Sequence, residues 1–136
     1  MTVSQSVIEW LKQFDTEKIK SISTDIRPAR VNSYALIKEP IVNVKTYISG
    51  KQNITEHYVL MALLDSQDNV DRKENSAWGE QLEQWIAEKC NKKEFPDIAG
   101  ATVERVEVTT PFYLGSKEST NESMYQLSIS IKYRKG

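Results

Sequence analysis

Few residues in this chain are of types that carry chemistry, and their spacing narrows them further. His57 is the only histidine. To act as a general base it needs a nucleophile and an orienting carboxylate beside it. It stands between Glu56 and Tyr58 in a strand-like run, which reads as a surface or cross-strand position. Cys90 is the only cysteine, so an internal disulfide and a cysteine-based metal cage are excluded. The Lys92-Lys93 pair that follows favours a thiolate, but at the C-terminal end of a helix the dipole opposes the anion. A half-buried helix residue is the expected role. Asp65, Asp68 and Asp71 invite a calcium reading. A helix–loop–helix calcium site needs alternate oxygen ligands, a glycine for the turn and a closing glutamate. Here every third residue is acidic, glycine is absent and Val70 interrupts, which fits a solvated loop that caps a helix.

The remaining candidates are weaker still. Gly50, Gly79, Gly100, Gly115 and Gly136 lie too far apart for a phosphate-binding loop. Lys12, Lys18, Lys20, Arg27 and Arg30 come nearest to a basic patch, and Asp15, Glu17 and Asp25 dilute it. Across 136 residues, 18 basic side chains meet 19 acidic ones. That balance gives no bulk attraction to nucleic acid or to an anionic membrane. No apolar run is long enough to span a bilayer, and MTVSQSVIEW lacks the layout of a signal peptide. The expectation is a soluble intracellular single domain, residues 1–136, with no cofactor, no metal and no enzymatic activity.

What the sequence does specify is a scaffold. Val7, Ile8, Leu11 and Phe14 recur at helical spacing, with Ser6 and Glu9 as a capping box and Trp10 toward the edge of that face. Pro28 breaks any continuation, and Ser33 to Lys38 reads as a short strand that stops before Pro40. From Ile41 the period is two. Val42, Val44, Thr46 and Ile48 lead into the turn Ser49-Gly50-Lys51-Gln52, and Ile54 to Leu64 returns as a long hairpin. The apolar end of the return strand, Val59 to Leu64, predicts cover on both faces and a central place in the sheet.

Asp71 with Glu74, or Asn69, caps a second helix, whose stripe is Trp78, Leu82, Trp85, Ile86 and a snorkelling Lys89. That helix ends near Asn91 to Lys93. Ala101 to Thr109 is a strand whose parity slips once, as at a bulge, and Pro111 to Leu114 extends it. Gly115 to Glu122 is a polar loop. Tyr125, Leu127, Ile129, Ile131 and Tyr133 alternate with polar residues in the last strand, giving one dry and one wet face. The sum is α+β: a two-layer, mostly antiparallel sheet with a long β-hairpin and two main helices packed on it.

In this order the segments resemble the small tail-terminator, or tail-completion, proteins of tailed bacteriophages, often called minor capsid proteins. The likeness runs through Val7-Ile8-Glu9-Trp10-Leu11, Lys45-Thr46-Tyr47-Ile48-Ser49-Gly50-Lys51 and Glu56-His57-Tyr58-Val59-Leu60. It continues through Asn75, Leu82, Trp85 and Ile86, then Phe95-Pro96-Asp97, the Val103 to Pro111 strand, and Tyr125 to Tyr133. These are fold-forming residues spread over nearly the whole chain. The resemblance implies a structural virion protein that forms a ring, commonly a hexamer, on the top of the tail tube. Such a ring ends tube polymerisation and offers the surface for head joining. Its partners would be further copies of itself, the tail tube protein, and sheath or head-completion proteins, assembled in the bacterial cytoplasm of a phage, prophage or tailocin producer.

A closed ring needs two complementary patches per subunit, and an exposed strand edge or hairpin can supply one. The expected contacts are the hairpin tip (Ser49, Gly50, Lys51, Gln52) and the polar loop (Ser116, Lys117, Glu118). Two other readings remain. One is a small α+β ligand-binding or enzymatic domain with a pocket between the second helix and the sheet, lined by His57, Tyr58 and Trp78. The other is a different head–tail connector of the same particle.

Overall fold

A computed structural model describes residues 2–14, 22–26, 28, 32–66, 69–118 and 121–136. Asp15, Glu17, Lys18, Lys20, Arg27, Arg30 and Asp68 therefore lie outside the described residues. The elements run α1 (Val3–Lys12), β1 (Ile22–Thr24), β2 (Ser33–Thr46), β3 (Gln52–Asp65), α2 (Asn69–Asn91), β4 (Ala101–Lys117) and β5 (Glu122–Lys135). The strands form one sheet in the order β1-β2-β3-β5-β4. All neighbours are antiparallel except β1, which joins β2 in parallel through Ile22–Tyr34 to Thr24–Leu36. The architecture is the expected two-layer α+β, with the short parallel edge strand as an addition.

Period-two alternation divides the sheet into a helix-covered face and a second face. Ile54, Tyr58, Leu60, Ala62 and Leu64 of β3 join Tyr125, Leu127, Ile129, Ile131 and Tyr133 of β5 on the covered side. Val7, Ile8 and Leu11 of α1, and Trp78, Leu82 and Ile86 of α2, close over them. The opposite face carries a small cluster, Met61, Leu63 and Met124, flanked by Ile37 and Val59. The apolar run at the end of β3 is thus buried on both faces, and β3 is central, as its sequence predicts.

Aromatic rings join the two helices to the sheet. Trp10 lies 4.9 Å from Trp85, and Phe14 is 5.7 Å from both Trp85 and Trp78, centroid to centroid. Trp78 reaches Tyr34 and Phe112, and Phe112 stacks on Tyr125 at 5.1 Å. Trp10 is buried, not at the edge of its face, because its indole Nε1 donates to the Glu94 carbonyl at 2.8 Å. That bond ties α1 to the segment after α2.

Several boundaries differ from the sequence reading for local reasons. The capping box of α1 is Thr2 with Gln5 and not Ser6 with Glu9: the Gln5 N–H donates to the Thr2 hydroxyl, and Gln5 Oε1 accepts from Thr2 N. The helix α2 begins at Asn69, which puts Asp71 in the first turn, where a carboxylate offsets the dipole. Its C-terminus turns through Lys93 at φ +57, with Glu94 N donating to Lys89 O and Lys93 N to Cys90 O. This is the double closure that glycine usually makes. Lys89 snorkels over the Trp85 ring, its Nζ 5.6 Å from the centroid, and pairs with Glu94 at 2.7 Å, which holds that carboxyl below its ordinary range.

The hairpin is longer than expected because Pro40 does not stop β2. The register passes from Lys38–Tyr58 to Val42–Glu56, so Glu39, Pro40 and Ile41 stand opposite His57 alone. A bulge at a sheet edge tolerates the missing proline N–H. In β4 the expected bulge falls between Val103 and Arg105, and a further irregularity lets Pro111 continue the strand. The predicted polar loop 115–122 is correspondingly shorter. Ser116 and Lys117 belong to β4, and Glu122 to β5.

Candidate subunit interface

β2 has two different halves. Its first half is paired on both sides and buried at Tyr34, Ala35 and Leu36. Beyond Leu36 the outer edge receives, among the described residues, only Asp25, whose Oδ1 accepts from Lys38 N and whose N–H donates to Leu36 O. From Val42 to Thr46 the strand is paired, among the described residues, with β3 alone. Ile41, Val42, Val44, Tyr47 and Ile48 lie exposed along this stretch and its turn, Ile48 completely. An apolar strand edge open to solvent is a template for another chain.

The turn itself is well ordered by its own bonds. Tyr47 N donates to Lys51 O at 2.8 Å and Gly50 N to Tyr47 O at 2.9 Å, with Gly50 at φ +88. The Asn53 amide donates to the Tyr47 hydroxyl, and Lys45 Nζ lies 5.4 Å from the Tyr47 ring centroid. Lys51 also lines a polar groove of about 570 Å³ with Asp97, Thr102, Arg134 and Lys135.

The other edge of the sheet is β4, paired only with β5. The helix α2 protects part of it: Cys90 Sγ donates to Val106 O at 2.9 Å, and Phe112 N donates to Glu83 Oε1 at 3.1 Å. Burial pushes the Cys90 thiol pKa up. Between α2 and β4 lies a mainly apolar groove of about 350 Å³, lined by Ile86, Ala87, Cys90, Val106 and Val108 together with Glu83, Asn91, Arg105 and Glu107.

The residues expected at contacts divide between the two ends of the sheet. Ser49, Gly50, Lys51 and Gln52 stand at the end where β4 begins; Gln52 pairs with Lys135, and Lys135 with Ala101. Ser116, Lys117 and Glu118 stand at the opposite end, where Lys117 pairs with Ser123 and Glu118 N donates to Glu122 O. They do not form one patch. The exposed apolar residues Ile41, Val42 and Val44 extend the first group, and period two alone marks them as strand, without saying that one edge is open.

No family model matches the chain, and no curated protein matches it significantly.

The expected pocket of His57, Tyr58 and Trp78 is not assembled. Tyr58 and Trp78 lie in the covered core, whereas His57 pairs with Ser130 and points to the other face. The polar group missed by sequence reading is the neighbour of His57. Glu56 is 6% exposed on the covered face. Its Oε2 accepts from Tyr58 at 2.8 Å, and its Oε1 from Tyr133 at 3.1 Å and Lys38 Nζ at 3.3 Å. Ile54, Glu56, Tyr58 and Leu60 share one parity, so a lone acid on an apolar row was the available signal. Charge-assisted bonds of this kind fasten β2, β3 and β5 together.

Burial and the Glu56 carboxylate raise both phenols, Tyr133 to about 12. A tyrosine whose folded pKa exceeds its unfolded value of about 10 keeps its proton longer in the native state. Its contribution to stability is therefore full below pH ~10 and lost as pH rises toward the folded value. Urea titrations at increasing pH are expected to show stability falling above pH ~10, and less steeply in Tyr133→Phe. Equal slopes in the two proteins would remove Tyr133 from this role.

Proposed function

We propose that this chain is a structural subunit that forms a ring on the tail tube of a tailed bacteriophage or a related tail-like particle, ending tube growth and offering the surface for head joining. The observation that carries the reading is that, among the described residues, the Val42–Thr46 stretch of β2 on one side of the sheet and the start of β4 on the other have no outer partner strand, the former carrying exposed Val42 and Val44. Two different edges on one subunit suit head-to-tail association, the kind that closes into rings. The resemblance over the whole order of segments supplies the tail-terminator identity, and its Lys45–Lys51 segment falls on the exposed hairpin end. Near-neutral net charge suits a surface that meets copies of itself. On this reading the chain is not an enzyme, its partners are further copies and the tail tube protein, and its place is the particle.

The direct test is to add the purified chain to the tube protein of the same source during polymerisation. Tubes are expected to stop short and to carry a ring at one end. Tubes of unchanged length with bare ends would overturn the proposal. Assembly should also depend on the exposed edge. Val44→Asp with Ile48→Asp is expected to weaken self-association on tubes by at least ~tenfold, about 1.4 kcal/mol. Because both side chains are exposed, folding stability should stay within about 0.5 kcal/mol of the parent. Lys51→Glu is the companion change at the tip, since the positive φ at Gly50 penalises any side chain there.

A further inference from the structure

The two open edges stand at the same level of the sheet. Following the pairing across the strands, Val42 faces Glu56, Glu56 faces Ile131, and Ile131 faces Val106. In the next rows Val44 leads through Ile54 and Tyr133 to Val103, and Thr46 through Gln52 and Lys135 to Ala101. The stretch of β2 free on its outer side, Val42 to Thr46, is therefore level with Ala101 to Val106 of β4. On β4 the bonds from α2 fall at Val106 and beyond, so the outer edge from Thr102 to Arg105 makes no backbone hydrogen bond among the described residues.

Direction, face and charge agree with the levels. β2 is antiparallel to β3, β3 to β5 and β5 to β4, so β2 and β4 run in opposite directions. A second copy placed beside the first in the same orientation brings the Val42–Thr46 end of its β2 against the start of β4 as an antiparallel pair, the stronger of the two ladders, while the Tyr34–Leu36 end stays paired with its own β1. Continuing the sheet keeps its faces. Val42 and Val44 share the helix-covered side with Val103 and Val106, the side on which the α2–β4 groove opens. The segment from Pro40 to Gln52 carries Lys45 and Lys51 and no acid; of the charged residues at the groove, Glu107 is paired with Arg105 at 3.2 Å, which leaves Glu83 as the acid.

Resting on the ring reading above, we infer that the subunit joint is a strand addition: the Val42–Thr46 edge of one copy pairs with Thr102–Arg105 of β4 in the next, which brings Val42 beside Val106 at the groove around Cys90 and Val44 beside Val103. Main-chain bonds supply the strength of such a joint and the apolar pockets its register. The groove already holds a reporter, because Cys90 lines it and is the only cysteine.

The test is cross-linking of tube-bound or self-assembled protein with a short bis-maleimide, at mildly alkaline pH because the Cys90 thiol is raised. Val42→Cys and Val44→Cys are each expected to give a ladder of multimers joined through Cys90. The same proteins carrying Cys90→Ser, and Ser116→Cys at the far end of β4, are expected to give no ladder. If mass measurement shows an assembled ring but neither edge cysteine links to Cys90, the strand-addition joint is overturned while the ring stands. If no assembly forms with or without tubes, the ring reading itself fails, and the joint with it. Should Val42→Cys or Val44→Cys impair assembly, unmodified parent rings supply a second reading. Maleimide labelling of Cys90 in them should slow at least ~tenfold relative to the free chain; unchanged labelling overturns the joint.

Discussion

Glu56→Ala is expected to destabilise the fold by about 3 kcal/mol or more, the cost of orphaning a buried polar network. Glu56 is 6% exposed and both of its oxygens are engaged. Removing it strands the Tyr133 hydroxyl, leaves the Tyr58 hydroxyl only its bond with Ser4, and releases Lys38. Each unsatisfied buried hydroxyl alone costs about 1–3 kcal/mol. Glu56→Gln keeps one oxygen acceptor and the volume, so about half of that loss is expected. A third protein separates lost bonds from lost shape. Glu56→Leu combined with Tyr58→Phe and Tyr133→Phe leaves neither phenol to orphan, only Ser4 and the partly exposed Lys38 losing a partner, and should recover much of the stability lost in Glu56→Leu alone. Urea midpoints at neutral pH measure all of these. A Glu56→Ala loss below about 1 kcal/mol would show that water satisfies the tyrosines, and that the carboxylate fastens nothing.

The second large effect is expected at Gly79, which looks replaceable. It lies inside α2, where alanine ordinarily stabilises by about 1 kcal/mol over glycine. Here the sign reverses, because a Cβ at Gly79 would overlap the side chain of Phe112. That ring is held between Trp78 and Tyr125, stacked on the latter at an interplanar angle of 6°, so it has little room to yield. Gly79→Ala should cost about 1 kcal/mol net, and Gly79→Val about 3 kcal/mol as overpacking adds to the β-branched penalty. Phe112→Ala is itself destabilising, but in that background Gly79→Val should cost markedly less. The coupling in the double-mutant cycle is the diagnostic. Additive losses would mean that the valine acts on the helix and not on the ring.

The two positions differ in how far the sequence exposes them. Glu56 was readable, since the alternation from Ile54 to Tyr58 assigns it to the row of Tyr58 and Leu60. His57, its neighbour in sequence, belongs to the opposite face of the strand. Gly79 and Phe112 meet only through the tertiary fold, and nothing in either local pattern signals it. The same distinction holds for the scaffold. Tyr125 to Tyr133 fixes the last strand and its dry face, because a period of two buries every second side chain. The parallel strand Ile22–Thr24 is too short to carry a period. Pro40 reads as a stop because it lacks an N–H, yet at a free edge with a bulge that donor is not required. At the candidate interface, Gly50 announces the turn, but an unpaired edge depends on which strand comes next in the sheet, and that order is not a local property.

Trp10, Trp78 and Trp85 all lie in the seam where the two helices meet, and none is on either open edge. Indole emission will therefore follow separation of α1 from α2 and stay silent when copies join edge to edge. Light scattering will follow the joining. The two signals are independent on a single sample, so the concentration at which subunits associate can be scanned while the fold of each is watched separately.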